Sequence, residues 1–121
     1  MKSRWLEHKG KRIFYCDWSD FGYDVSALEA EVDECNRLTL AQPRNSMLSI
    51  VDVRGTVASK EAMQVFKSSS AKSKPFVRKS AVIGITGYKK VLLEAVSAFS
   101  GQSFGIFNDL EEAKDWVVGT D

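Results

Sequence analysis

The stretch FVRKSAVIGITGYKKVLLEAVSAFSGQSFGIFNDLEEAKDWVV, residues 76–118, reads as strand, helix, strand, helix, with almost every boundary marked. Residues 81–85 (AVIGI) are an unbroken apolar run between Arg78 and Lys79 on one side and Thr86 and Gly87 on the other. That pattern predicts a short strand covered on both faces in a parallel sheet. Tyr88, Val91, Leu92, Ala95 and Phe99 follow at spacings of three and four, a core stripe for a helix on that sheet, with Gly101 as its stop. Residues 104–107 read as a second strand. Asn108, with Glu111 three residues on, is a helix-start signature in which the side chain accepts from an otherwise unpaired backbone amide. Leu110, Ala113, Trp116 and Val117 then line one face of a closing helix.

Outward from this stretch, the front of the chain completes the architecture. Residues 4–8 and 11–17 are short strands on either side of Lys9 and Gly10, a two-residue hairpin connection, and should pair antiparallel. Between positions 24 and 41, Val25, Leu28, Val32 and Cys35 repeat at helical spacing, with Ser26 and Glu29 placed as a capping box and Pro43 just beyond. Residues 46–53, apolar on both alternating faces, form the central strand. From Ser59 to about residue 70 a further helix turns Ala62, Met63 and Phe66 inward. Helical crossovers make the later strands mutually parallel. The fold class expected is therefore α/β, a mixed, mostly parallel sheet of about five strands with an N-terminal antiparallel hairpin and about four helices. At 121 residues and 44% hydrophobic, the chain has the length of one domain, residues 1–121, that buries a single core without staples.

The order KSAVIGITGYKK followed by FNDLEEAKDWVV resembles the bacterial SpoIIAA-like family, small STAS-like domains also compared with the lipid-binding CRAL-TRIO fold. The likeness covers nearly the whole chain, including the strand pair around HKGKRIFYCDWSD and the Asp-x-x-Gly turn of Asp52, Val53, Arg54 and Gly55. It implies a fold and little chemistry. STAS domains of the anti-sigma-antagonist type are switched by phosphorylation of a serine in an Asp-Ser-Ser-Gly turn. Arg54 stands in that place, so the resemblance does not carry the switch over; Thr56 and Ser59 are nearby hydroxyls outside the motif position.

Composition excludes several classes. Seventeen basic and sixteen acidic residues leave a net charge of +1, which argues against nucleic-acid binding, whose affinity needs a sustained cationic surface. The first twelve residues are too polar for a signal peptide, and no run approaches the roughly twenty apolar residues of a membrane helix, so a cytoplasmic protein with no integral membrane segment is expected. Cys16 and Cys35 lack the paired spacing of zinc or redox motifs and read as buried thiols. The segment KSSSAKSKP, residues 67–75, reads as a helix fraying into a mobile loop. With Arg78 and Lys79 it makes a basic patch of five cations in thirteen residues, a solvated edge or a binding surface for an anionic partner or membrane.

In open α/β sheets, function sits in the crevice beyond the carboxyl ends of the parallel strands. Three strand ends are readable there: Asp17 with Trp18; Asp52 with Arg54, Gly55 and Thr56; and Thr86 with Gly87. Free amides at two helix starts beside glycines would suit a phosphate or carboxylate, while the plainer reading makes Gly55 and Gly87 turn residues. Trp18 and Phe21 are the aromatic residues expected at a ligand or partner. No HExxH, Walker loop or GxGxxG is present; His8, the sole histidine, reads as an exposed turn residue with no nucleophile beside it. The expectation is a non-enzymatic binding or interaction module without a cofactor, acting through a protein partner or self-association. The alternative is a small anionic or lipid-like ligand at the strand ends.

Overall fold

The computed structural model describes residues 1–119. β1 (Arg4–His8) and β2 (Lys11–Asp17) form the expected antiparallel hairpin. Lys9 and Gly10 both have positive φ, 51° and 78°, the twist with which a two-residue turn matches the strands it joins. β3 (Met47–Asp52), β4 (Val77–Ile83) and β5 (Gly105–Phe107) add in chain order, each parallel to the last. The α/β class and the mixed five-stranded sheet are those expected from sequence. β4 begins further upstream than the 81–85 run, because Val77 and Lys79 still pair with β3, Arg78 falling at a register shift between them.

α1 (Val25–Leu40), α2 (Lys60–Ser73) and α3 (Lys89–Ser100) connect successive parallel strands, and α4 (Leu110–Val118) closes the chain. Crossovers of one hand, stepping one way across a sheet, place their helices on one face. Strand alternation shows this division. Phe14, Cys16, Val53 and Val82 point toward α1, α2 and α3, while Ile13, Tyr15, Ile50, Ala81 and Ile83 point toward Ala113 and Val117 of α4.

The helix starts correct two expectations. Asp24, not a Ser26/Glu29 box, caps α1 by accepting from the Ala27 amide at 3.0 Å. Asp109, one residue beyond Asn108, caps α4 by accepting from the Glu112 amide at 2.8 Å. In both, a carboxylate serves, which also complements the positive end of the helix dipole. Ser59 caps α2.

Two further corrections concern α2 and α3. The serine-rich segment stays helical to Ser73, because Ser69 donates to Asn36 Oδ1 of α1 and Ser70 donates to Ser100 Oγ of α3. Tertiary hydrogen bonds outweigh weak helix propensity there. The five cations around it are also divided: Lys67 and Lys74 lie along α3, whereas Lys79 reaches Trp116 on the α4 side. On α3 the expected core stripe is split: Leu92 packs inward, as expected, and most of the rest faces outward. Tyr88, Val91 and Phe99 are each more than 60% exposed, and the side toward the sheet is made by Leu92, Leu93 and Val96. The apolar arc of the helix is wider than the part that the sheet covers, so spacing alone could not choose the buried edge. Among the described residues, no helix is long and apolar enough to cross a membrane.

Candidate functional site

The strand-end residues singled out from sequence are brought close together and then divided by the sheet. Asp17 and Asp52 are register partners in β2 and β3, and alternation turns both toward the α4 face. Each already has protein cations. Asp17 lies 3.6 Å from Lys2 and 3.9 Å from Arg4. Asp52, almost fully buried, receives Arg54 Nε at 3.1 Å and Nη2 at 2.7 Å, and the Tyr15 hydroxyl at 2.6 Å. Burial opposes its charge, but the bonds from Arg54 and Tyr15 outweigh it and hold the carboxyl below the usual carboxylate range. The Tyr15 hydroxyl is pushed up, by burial first and by its bond to Asp52 second.

Thr56 and Trp18 lie on the opposite side. The Thr56 hydroxyl donates to the Trp18 carbonyl at 2.7 Å and accepts from the Phe21 amide at 3.1 Å. It sews the loop after β2 to the loop after β3, as does the Asp20 amide donating to the Arg54 carbonyl at 2.8 Å. Gly55 packs against Asp20, where a Cβ would come within 2.3 Å of its carboxylate. Thr86 and Gly87 are exposed in the turn that leads into α3, accepting from the Lys89 and Lys90 amides. Trp18 is buried, its ring stacked on Phe66 with centroids 5.9 Å apart. It walls an interior and does not face solvent. His8 is half-buried and bonds Asp115 at 2.7 Å, which corrects its reading as an exposed turn residue.

The interior that Trp18 walls is a cavity of about 100 Å³ between the sheet and α1, α2 and α3. Its floor is Phe14, Cys16, Ser49, Val51, Ser80 and Val82 of the three central strands. Met63 and Phe66 of α2, with Leu92, Leu93 and Val96 of α3, form the apolar roof. Thr56, Ile85 and Lys89 lie at the end nearest the strand carboxyl termini, where Lys89 Nζ donates to the Thr56 carbonyl at 3.4 Å. The space has a sequence cause: Cys16, Ser49 and Ser80 occupy inward positions where leucine or isoleucine would fill the gap. For scale, an apolar cavity of about 150 Å³ holds benzene, so this one suits a molecule of a few heavy atoms or one end of a longer one.

One polar feature in this floor is not fully satisfied. Ser49 and Ser80 are register partners, both more than nine-tenths buried, and their hydroxyl oxygens lie 2.9 Å apart. Two hydroxyls carry two protons, and one occupies the bond between them. The other has no acceptor among the described residues. By contrast, the polar groups at the far end close on one another: Ser69 on Asn36, and Gln102 on the Ser70 carbonyl at 2.9 Å. A buried hydroxyl proton without an acceptor costs about 1–3 kcal/mol, which an incoming acceptor recovers.

Both cysteines border the cavity and are buried, as expected. Cys35 Sγ is hydrogen-bonded to Ser3 Oγ at 3.1 Å and accepts from Trp18 Nε1 at 3.4 Å. The neighbouring Cys35 sulfur pushes the Cys16 thiol up, and burial adds to that.

The chain matches no protein-family model, no curated protein and no solved structure. The sequence had pointed to the strand ends and missed this floor. A signal was present, since Ser49 and Ser80 are polar residues inside the apolar runs MLSIVD and SAVIG.

Proposed function

We propose that the protein is a non-enzymatic binding module that takes a small, mostly apolar molecule bearing one hydrogen-bond acceptor into the cavity beneath α3. The observation that carries this reading is the surplus hydroxyl proton of the Ser49 and Ser80 pair in an otherwise apolar floor. Such a mixture, apolar walls with few convergent polar groups, is the usual composition of a small-molecule site. The family likeness of the sequence, to STAS-type and CRAL-TRIO domains, belongs to the same proposal. A binding role without chemistry is supported by the environment of the two serines, which bond each other and no base. An anion at the strand ends is less well supported, because Arg54 is bonded to Asp52 and Thr56 to two backbone groups.

A matched pair of small probes tests the reading: acetone, and isobutene, which has the same shape without the acceptor. The methyl resonances of Val51, Val82, Leu93 and Val96 should shift on titration with acetone in wild type. They should shift far less with isobutene. Replacing both serines by alanine should remove the preference. No methyl shift with either probe contradicts the proposal, and equal shifts in wild type contradict the role of the serines.

The interaction reading is favoured by one observation, the exposed apolar stripe on α3.

A further inference from the structure

The four helices differ in a way that sequence composition makes hard to ignore. α3, KKVLLEAVSAFS, carries the densest run of apolar residues, yet among the described residues Val96 is its one fully buried side chain. Lys90, Glu94 and Ser97 form its polar face, and its apolar arc is wider than the part that the sheet covers, which leaves apolar surface for a second contact. Leu92, Leu93 and Val96 face the cavity, and Tyr88, Val91 and Phe99 on the outer edge of the same arc project to solvent, 66%, 66% and 63% exposed.

Charge indicates what covers them. Residues 60–74 and 89–100 hold six lysines and two glutamates, while the rest of the chain holds eleven basic and fourteen acidic residues. A near-neutral protein thus has a cationic side, and the apolar stripe lies in it. Lys67 places its ammonium 6.0 Å from the centre of the Phe99 ring, and Lys74 runs against Gly101 at the end of the same helix. Aromatic and aliphatic tips flanked by lysines whose stems lie along apolar surface are the composition of an interfacial helix. A second copy of the chain would bring two cationic surfaces face to face, which charge disfavours.

We propose that α3, with the lysines of α2 beside it, is a docking face for an anionic lipid surface. Tyr88, Val91 and Phe99 enter the headgroup region, and Lys67, Lys74 and Lys90 meet the lipid phosphates. This inference does not depend on what the cavity binds.

Cosedimentation of the full chain with vesicles tests it. Wild type should pellet with vesicles half of phosphatidylglycerol, stay in solution with phosphatidylcholine alone, and be released by high salt. Val91→Ser with Phe99→Ser should abolish pelleting, and each of Lys67→Gln and Lys90→Gln should weaken it roughly fivefold. All four positions lie on the surface or partly so, and a thermal melt checks that the variants are folded. The proposal is overturned if wild type remains soluble with anionic vesicles, if it pellets equally with neutral ones, or if the serine variant binds as wild type does. It is also overturned if sedimentation velocity finds a lipid-free dimer that the serine variant dissociates, since the stripe then belongs to a second copy.

Discussion

Asp52 shows what a single residue contributes at the end of this sheet. Its carboxylate is buried and takes bonds from Arg54 and Tyr15, so its acidity is raised in the folded chain alone. A group whose folded value is depressed gives stability that is present above its unfolded value, about 3.9, and is lost as pH falls through the folded one. Asp52→Asn should therefore cost about 2 kcal/mol at pH 7 and less at pH 3, because acid has by then begun to remove the same contribution from wild type. Urea unfolding of both proteins at the two pH values measures this. Glu31, which accepts from the Lys2 and Ser3 amides at 3.0 and 2.9 Å, is likewise held low against its burial and shares in the same acid limb. Gly84 offers a second test. Its φ is +98°, and a Cβ would stand 2.9 Å from the Arg54 amide nitrogen, so Gly84→Ala should destabilise by about 1–3 kcal/mol in the same assay. Single residues were unevenly legible from sequence. Asp52 and Arg54 were singled out as ligand contacts, and their bond to one another is a three-dimensional fact that no spacing states. Ser49 and Ser80 were in view as letters, but their meeting depends on the register of β3 against β4.

Elements were read more successfully than faces. Every strand and helix falls where periodicity and punctuation placed it, within a few residues, because apolar period and turn chemistry are local properties. Which side of a helix is buried is not local. α4 shows a narrow apolar side and packs it, with Ala113 and Val117 fully buried; α3 shows a wider apolar arc, and the sheet takes one edge of it. The continuation of α2 through its serines was invisible for a similar reason, since Asn36, Ser100 and Gln102 that hold it lie far away in the chain. The difference in packing predicts a difference in dynamics. Amides in the middle of α3 should exchange with solvent well before those of α4 and of β3, as opening α3 exposes little buried surface. Hydrogen exchange followed by mass spectrometry checks the order; equal protection of α3 and α4 would contradict it.

At the scale of the whole molecule, the asymmetry of the two sheet faces organises the account. α4 packs closely on one face and bonds to the hairpin through His8 and Asp115, giving a solid half. The other face, covered by three helices, contains the cavity, the cysteine pair and the serine pair, and its outermost helix carries the exposed stripe. Binding of an apolar molecule should therefore raise the melting temperature and slow exchange in α3, as any ligand selective for the folded state does. The most direct measurement of the central claim is a crystal structure of the protein pressurised with xenon, which enters apolar cavities and ignores polar ones. The account predicts a xenon atom between Val82 on the sheet and Leu93 and Val96 on α3. A structure with α3 collapsed onto the sheet and no xenon between them would contradict it.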